Sequence, residues 1–181
     1  MRMHEIIDLI EEVQLPKLNK SFWRWFGNSK VVDKDGKPLV VYHGTGVDFD
    51  AFEKTGINDR GLWGRGHYFS AVSRSASSYA LRNDVGARII PVYVSIKKPL
   101  ILRTGRDLVI RLPDGTNTRD LVGPNLDGSK IKDIAINGGH DGVIQFKPDD
   151  LIGDLVAFNP TQIKSVFNRG TWDGNDPNIN N

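Results

Sequence analysis

The chain has 181 residues, of which 39% are hydrophobic, so it is long enough to bury a core as a single domain. Its formal net charge of +2 gives no general electrostatic footprint for nucleic acid, and the absence of cysteine excludes disulfides, thiol nucleophiles and thiolate metal sites. Because no apolar stretch is long enough to span a membrane and the acidic start does not resemble a secretory signal, we expect a cytoplasmic protein, with delivery into another cell left open.

The first segment predicts an amphipathic helix followed by an aromatic anchor. Apolar residues recur at helical spacing over residues 4–15, and Pro16 ends the pattern. The next segment concentrates four large aromatic side chains, which are Phe22, Trp23, Trp25 and Phe26. Such density favours an anchor that packs residues 1–28 onto the domain over a surface that stacks bases or ligands.

The following segment predicts a hairpin whose second strand ends at a histidine. Two apolar runs flank Asp35 and Gly36, a strong turn signal, and the second run ends at His43, Gly44 and Thr45. A histidine directly before a glycine at the end of a buried strand is well placed to face a cleft.

A glycine-bracketed turn and two tyrosines come next. Gly64 and Gly66 let the backbone pass close to a ligand, and Arg65 between them could meet a phosphate. A short strand and then helical spacing over residues 71–81 follow, so Tyr68 and Tyr79 bracket a strand-to-helix corner and can face one cleft. On spacing alone, the two tyrosines also fit a hydrophobic core.

The second half of the chain predicts many short strands and few helices. The expected strands cover residues 88–96, 99–103, 108–112, 143–146, 155–158 and 163–167, and a helix covers residues 129–137. This pattern describes an α+β fold of two packed antiparallel or mixed β-sheets with a few peripheral helices and an N-terminal helix. We expect one domain over residues 1–173 and an irregular tail at 174–181.

Motifs along most of the chain resemble a family of enzymes. The run G-R-G-H-Y-F-S and the spacing from Tyr68 to Tyr79 resemble the nicotinamide-binding segment of poly(ADP-ribose) polymerases and diphtheria-toxin-like ADP-ribosyltransferases. The segments W-F-G-N-S-K-V-V-D-K-D-G-K-P-L-V-V-Y-H-G-T, H-D-G-V-I and F-N-P-T-Q-I-K-S-V-F-N-R-G-T-W-D most resemble the ADP-ribosyltransferase domains of phage and mobile-element polyvalent proteins. The resemblance covers residues 22–173, and it implies an ADP-ribosyltransferase-like fold that uses NAD as substrate without a metal.

The resemblance also implies roles for individual residues. His43, Tyr68 and Gln162 match the histidine-tyrosine-glutamate triad of the superfamily, with glutamine at the third position. Contacts to NAD are implied for His43 and Tyr68 and for a further set, which is Gly44, Thr45, Arg65, Phe69, Ser75 and Tyr79. Ser75 lies one position before the family's serine, and Ala76 occupies that position. If Gln162 lies outside the site, Glu53 and Asp154 are the first acidic residues to consider.

Cleavage of NAD sets the chemical demands on these residues. Breaking the bond from nicotinamide to ribose leaves an electron-poor, oxocarbenium-like sugar, so the enzyme must orient the leaving group and stabilise positive charge. By resemblance, His43 bonds a ribose hydroxyl, the Gly44 backbone bonds the carboxamide, and Tyr68 and Tyr79 stack the cationic ring, a contact worth roughly 0.5–2 kcal/mol. Gln162 supplies hydrogen bonds without charge, which favours single transfer or hydrolysis over polymer synthesis.

These expectations rank the functions. The leading hypothesis is a monomeric mono-ADP-ribosyltransferase, an effector or toxin of a phage or mobile element, with a protein acceptor favoured over nucleic acid. Alternatives are an NAD glycohydrolase and a catalytically silent module that binds NAD or ADP-ribose. A metal-independent RNase that uses His43, His67 or His140 as acid and base is the remaining alternative.

Overall fold

The computed structural model describes residues 18–52, 61–73, 75 and 88–181. The predicted helix at 4–15, most of the predicted helix at 71–81 and Tyr79 lie outside the described residues. The described elements are α1 (Lys20–Phe26), β1 (Val41–Thr45), β2 (His67–Ser70), β3 (Arg88–Val94), β4 (Pro99–Thr104), β5 (Ile110–Arg111), α2 (Thr118–Val122), α3 (Ser129–Asn137), β6 (Gly142–Phe146), β7 (Ile152–Ala157), a 3-10 turn (Pro160–Gln162) and β8 (Ile163–Ser165). None of the helices in these ranges is long and apolar enough to cross a bilayer.

The strands form one mixed sheet in the order β5-β4-β6-β7-β2-β1-β3-β8. Strands β4 and β6 are parallel, and the other described neighbours are antiparallel. Strands β1 and β2 share a single register pair, Tyr42 with Ser70, so the sheet divides there into β5-β4-β6-β7-β2 and β1-β3-β8. The α+β prediction is confirmed, and the two sheets predicted from sequence are the two halves of one sheet that this pair joins.

The hydrophobic core explains how the halves are held together. One buried cluster takes Val41 and Val92 from the smaller half, and Phe69, Ile144 and Leu155 from the larger half. Because both halves bury apolar side chains in this cluster, they pack against each other rather than extending as a flat sheet. A second cluster lies between the larger half and α3, and its members include Ile131, Ala135, Val143 and Val156.

The aromatic segment near the start of the described chain belongs to the core. Asn19 caps α1 by accepting a hydrogen bond from the backbone N–H of Phe22 at 2.9 Å. The buried rings of α1, which are Phe22, Trp25 and Phe26, pack with Tyr93, Val166 and Trp172. This cluster attaches α1 to the smaller half of the sheet.

The C-terminal tail is irregular but fixed in place. Lys164 is completely buried, and its ammonium donates to the carbonyls of Asp176 at 2.9 Å and Asn178 at 2.8 Å. The buried Ile179 donates its backbone N–H to the Asp50 carbonyl at 2.7 Å. The tail therefore holds the loop that follows β1, next to the strand end that carries His43.

Candidate active site between the sheet halves

The candidate site lies where β1 and β2 separate. Beyond the pair of Tyr42 and Ser70, β1 runs on through His43 and Gly44 beside β3, while β2 lies beside β7. Within the described chain the two strands share no further register pair. We call this break in the ladder the opening, and the absence of a Cβ on Gly44 allows a ligand to approach the backbone there.

His43 links the two strands across this opening. Its Nδ1 lies 2.8 Å from the backbone oxygen of Tyr68. Since a carbonyl oxygen only accepts, Nδ1 carries the hydrogen and Nε2 is left as an acceptor. Burial lowers the pKa of His43, and the bond to Tyr68 opposes that shift only in part. At neutral pH the neutral ring therefore offers Nε2 as an acceptor for a hydroxyl group.

Three phenylalanine rings hold the imidazole of His43 in this orientation. Its centroid lies 4.9 Å from that of Phe52, 5.6 Å from Phe69 and 6.1 Å from Phe49. Phe69, predicted to bind NAD, is buried in the core between the halves. In the structure, the Phe69 ring packs against the His43 ring.

Tyr68 is fixed by the glycine-bracketed turn that precedes it. Its hydroxyl donates to the Gly64 carbonyl at 2.7 Å and accepts from the Trp63 backbone N–H at 3.0 Å. A Cβ at Gly61 would lie 2.0 Å from the tyrosine oxygen, and Gly61 has φ of +52°, so this position requires glycine. The turn therefore locks the plane of the Tyr68 ring, as a stacking surface requires.

The other predicted contacts lie around this centre. Thr45 is buried, and its hydroxyl exchanges two hydrogen bonds with the backbone of Val47. Arg65 is exposed in the turn before β2, where its carbonyl accepts from Lys132 at 2.6 Å, and Ser75 is exposed after β2. The structure thus brings His43, Gly44, Thr45, Tyr68 and Phe69 together on adjacent strands. Their contacts to NAD stay predictions.

Gln162 is engaged in a different structure, the turn after β7. Its Oε1 accepts from the backbone N–H groups of Phe158 at 3.1 Å and Asn159 at 2.8 Å. Its Nε2 donates to the carbonyls of Ser95 and Asp141, both at 3.0 Å. These contacts use both hydrogens and both lone-pair directions of the amide, so none is left for a ribose hydroxyl.

The surroundings of Gln162 also differ from those of the other two triad positions. Gln162 lines a cleft of about 1160 Å³ together with Trp25, Lys97, His140 and Trp172. Neither His43 nor Tyr68 lines that cleft. The structure therefore brings His43 and Tyr68 together and does not bring Gln162 to them.

Asp154 is an acidic side chain of the larger half that lies next to the start of the opening. It pairs with Ser70 across β7 and β2, next to the point where β1 and β2 part. Side chains alternate along a strand, so Ser70 and Tyr68 share a face, and Asp154 lies on that face about 7 Å along from the tyrosine. Burial raises the pKa of Asp154, although a hydrogen bond from Ser70 and the charge of Lys147 oppose this shift. Glu53, the other acidic candidate, lies outside the described residues.

A β-bulge places Asp154 inside β7, whereas the sequence pattern placed it before the strand. Strand β6 advances by two residues from Ile144 to Phe146 while β7 covers three from Ile152 to Leu155. The strand was predicted to begin at Leu155, after Asp154, whereas β7 begins at Ile152. An isolated glycine inside an apolar run, here I-G-D-L-V-A, is a bulge signal that could have revealed it.

Comparison with known proteins bears on this geometry. A family model described as "ADP-Ribosyltransferase in polyvalent proteins" matches residues 33–172. The matched range includes the opening between the halves with His43, Tyr68 and Asp154, as well as Gln162. A search of curated proteins found no match. In the part of the chain that the structure describes, no three His, Asp or Glu side chains are grouped to hold a metal.

Proposed function

Because the chain belongs to the family of ADP-ribosyltransferases in polyvalent proteins, we propose that it is a mono-ADP-ribosyltransferase that cleaves NAD and modifies a protein. One observation carries this proposal: His43 bonds the backbone of Tyr68 at the opening, and the half-buried Asp154 lies beside Ser70 on the same face of the larger half as the Tyr68 side chain. We assign the third catalytic role to Asp154 rather than to Gln162, because the Gln162 amide is fully used in its turn.

In the proposed reaction, the bond between the nicotinamide nitrogen and C1′ of the ribose breaks. The electron pair moves to the ring, so nicotinamide leaves as a neutral molecule and the sugar becomes an oxocarbenium-like cation. The Asp154 carboxylate faces this developing charge in a partly desolvated position, where an electrostatic interaction is stronger than in water. A nucleophile on the acceptor then bonds to C1′ and releases its proton.

The other residues orient NAD for this step. Nε2 of His43 accepts a hydrogen bond from a ribose hydroxyl, since Nδ1 is committed to Tyr68. The backbone of Gly44 pairs with the carboxamide, and the fixed ring of Tyr68 packs on the nicotinamide. Each contact removes freedom from the bound substrate before the bond breaks.

Two lowered pKa values argue against the RNase alternative. The pKa of His67 falls to about 4 because of burial and the charges of His43 and Lys132, and burial also lowers the pKa of His43. At pH 7 both rings are neutral imidazoles rather than imidazolium cations, so neither is a ready general acid. His140 is half-buried in the cleft that contains Gln162, apart from the other two histidines.

The acceptor and setting complete the proposal. A protein acceptor fits a chain whose formal net charge is only +2. We place the activity in the cytoplasm, where NAD is available, and in a monomeric effector of a phage or mobile element. Treatment of the labelled product with protease or with nuclease identifies the acceptor class, since only the matching enzyme releases the label from macromolecules.

We expect NAD at millimolar concentration to raise the melting temperature and to be cleaved with release of nicotinamide. The reason is that a ligand bound only by the folded state stabilises it, and the site is built for cleavage as well as binding. Labelled NAD, with and without cell lysate, separates transfer from hydrolysis. Stabilisation without any release of nicotinamide indicates a silent binding module. The absence of both stabilisation and release contradicts the proposed function.

Replacing the imidazole while keeping an aromatic ring tests His43. In His43→Phe the contacts to Phe49, Phe52 and Phe69 can be kept, but the acceptor Nε2 is lost. We expect kcat/KM for NAD cleavage to fall roughly 5- to 150-fold, or about 1–3 kcal/mol, while loss of the Nδ1 bond to Tyr68 lowers the melting temperature without unfolding the domain. His140→Phe is the matched control. If the His43 variant loses stability but keeps its activity per folded molecule, the histidine is structural.

A further inference from the structure

Gln145 is a buried polar side chain directly opposite the bulge that carries Asp154. It lies on β6 with 6% of its surface exposed, between the partners Ile144 and Phe146. Because β7 has one extra residue over this interval, Gly153 and Asp154 together oppose Gln145. A bulge leaves one residue of the strand outside the regular ladder, so its backbone needs another hydrogen-bond partner.

The Gln145 amide provides that partner. Its Oε1 accepts from the backbone N–H of Asp154 at 3.1 Å. Its Nε2 donates to the Phe146 carbonyl at 3.0 Å and to the hydroxyl of Thr104. Bonds from the nitrogen end of the amide to β4 and β6 therefore hold the side chain in place. The oxygen end in turn holds the backbone N–H of Asp154.

Gly153 shows how closely the two strands fit at this point. A Cβ on Gly153 would lie 2.2 Å from Oε1 of Gln145 and 3.2 Å from Cγ of Lys147. No side chain fits there without moving the amide. Beyond the bulge the register is regular again, with Leu155 in the core opposite Phe69 and Asp154 opposite Ser70.

We propose that Gln145 is a positioning residue, which holds the β7 bulge and with it the Asp154 carboxylate beside Ser70, on the face that carries the Tyr68 side chain. This inference rests on the catalytic role proposed for Asp154. Gln145 acts through the backbone of Asp154, so its loss affects the placement of the carboxylate and not the binding of NAD.

The test compares kcat and KM for nicotinamide release. Gln145→Met keeps the length of the side chain and removes both ends of the amide. We expect kcat per folded molecule to fall about 10- to 100-fold, the scale of a small misplacement of a catalytic group, with KM within about twofold of its original value. Ser29→Ala is the control, because it removes three hydrogen bonds of a comparably buried side chain away from Asp154, one to the Val94 carbonyl and two from the backbone N–H groups of Val31 and Ile96.

A double-mutant cycle separates positioning from general loss of structure. In an Asp154→Asn background the carboxylate is absent, so Gln145→Met should reduce kcat by less than about twofold further. The proposal is overturned by an unchanged kcat in the single variant, or by an equal loss in both backgrounds. If Gln145→Met does not fold, Thr104→Val replaces it, with a smaller expected loss of about 3- to 10-fold that must also vanish in the Asp154→Asn background.

The cycle also tells this inference from the proposed function. Full NAD cleavage by Asp154→Asn overturns the role of Asp154 and the inference with it. If Asp154→Asn loses NAD cleavage while Gln145→Met keeps full activity, the role of Gln145 is overturned and the role of Asp154 stands.

Discussion

Asp154→Asn should reduce the turnover of NAD about 10²- to 10³-fold, or roughly 2.7–4 kcal/mol of transition-state stabilisation. Asparagine keeps the shape of the side chain and its hydrogen bonds but removes the charge that faces the developing cation. The affinity for NAD should change little, since the charge on the sugar appears only as the bond breaks. Nicotinamide release gives kcat, and thermal shift against NAD concentration gives affinity. Asp150→Asn makes the same change at an exposed position.

The same substitution should stabilise the folded protein at neutral pH. Burial raises the folded-state pKa of Asp154 above its unfolded value, so the carboxyl group favours folding while it is protonated. That contribution is complete below the unfolded pKa and is lost as the pH rises through the folded pKa. The melting temperature of Asp154→Asn should therefore exceed that of the unaltered protein as the pH rises, and the difference should disappear in acid. A variant that is less stable at neutral pH indicates a carboxylate held by favourable contacts instead.

Gln162→Ala should destabilise the fold by about 2–4 kcal/mol and leave catalysis per folded molecule nearly unchanged. The substitution removes the four hydrogen bonds that join the turn after β7 to the carbonyls of Ser95 and Asp141 and to two backbone N–H groups. Denaturant unfolding measures the first effect, and nicotinamide release normalised to folded protein measures the second. Thr161→Ala, in the same turn, is the control.

Gln162→Glu separates the two hypotheses for this position. If glutamine stands in for the family's glutamate, the variant should keep or increase NAD cleavage. In the structure, however, a carboxylate there would face the carbonyls of Ser95 and Asp141 and lose both donors. We therefore expect Gln162→Glu to be at least as unstable as Gln162→Ala at neutral pH, and to recover stability in acid as the carboxyl group is protonated.

Local signals predicted much of the fold. The turn at Asp35 and Gly36 was predicted correctly, but it joins only one bridge, Val32 with Pro38, and the backbone bond from Leu39 to Val31. The predicted second strand is β1, which pairs with β2 and β3 instead of with the first. The helix at 129–137 was predicted with the bounds that α3 has. The connection of the two halves through one pair of residues depends on contacts between distant segments, and no local pattern records it.

The candidate site was predicted only in part, because some of its contacts also join distant segments of the chain. His43 and Tyr68 stand beside glycines at strand ends, which are local signals, and the structure places them on adjacent strands. Gln162 matched a motif, but its four partners come from three segments of the chain. Asp154 was a candidate from sequence only as a substitute for Gln162, and its place beside Ser70 follows from the bulge and from the pairing of β7 with β2, which no local pattern records.

The most direct test compares nicotinamide release by Asp154→Asn and Gln162→Ala in parallel, with each rate divided by the concentration of folded protein. The account predicts that Asp154→Asn loses about 10²- to 10³-fold in rate, while Gln162→Ala stays within about threefold of the unaltered protein. The opposite result, an active Asp154→Asn beside an inactive but folded Gln162→Ala, would contradict the assignment of the carboxylate and restore Gln162 as the third catalytic residue.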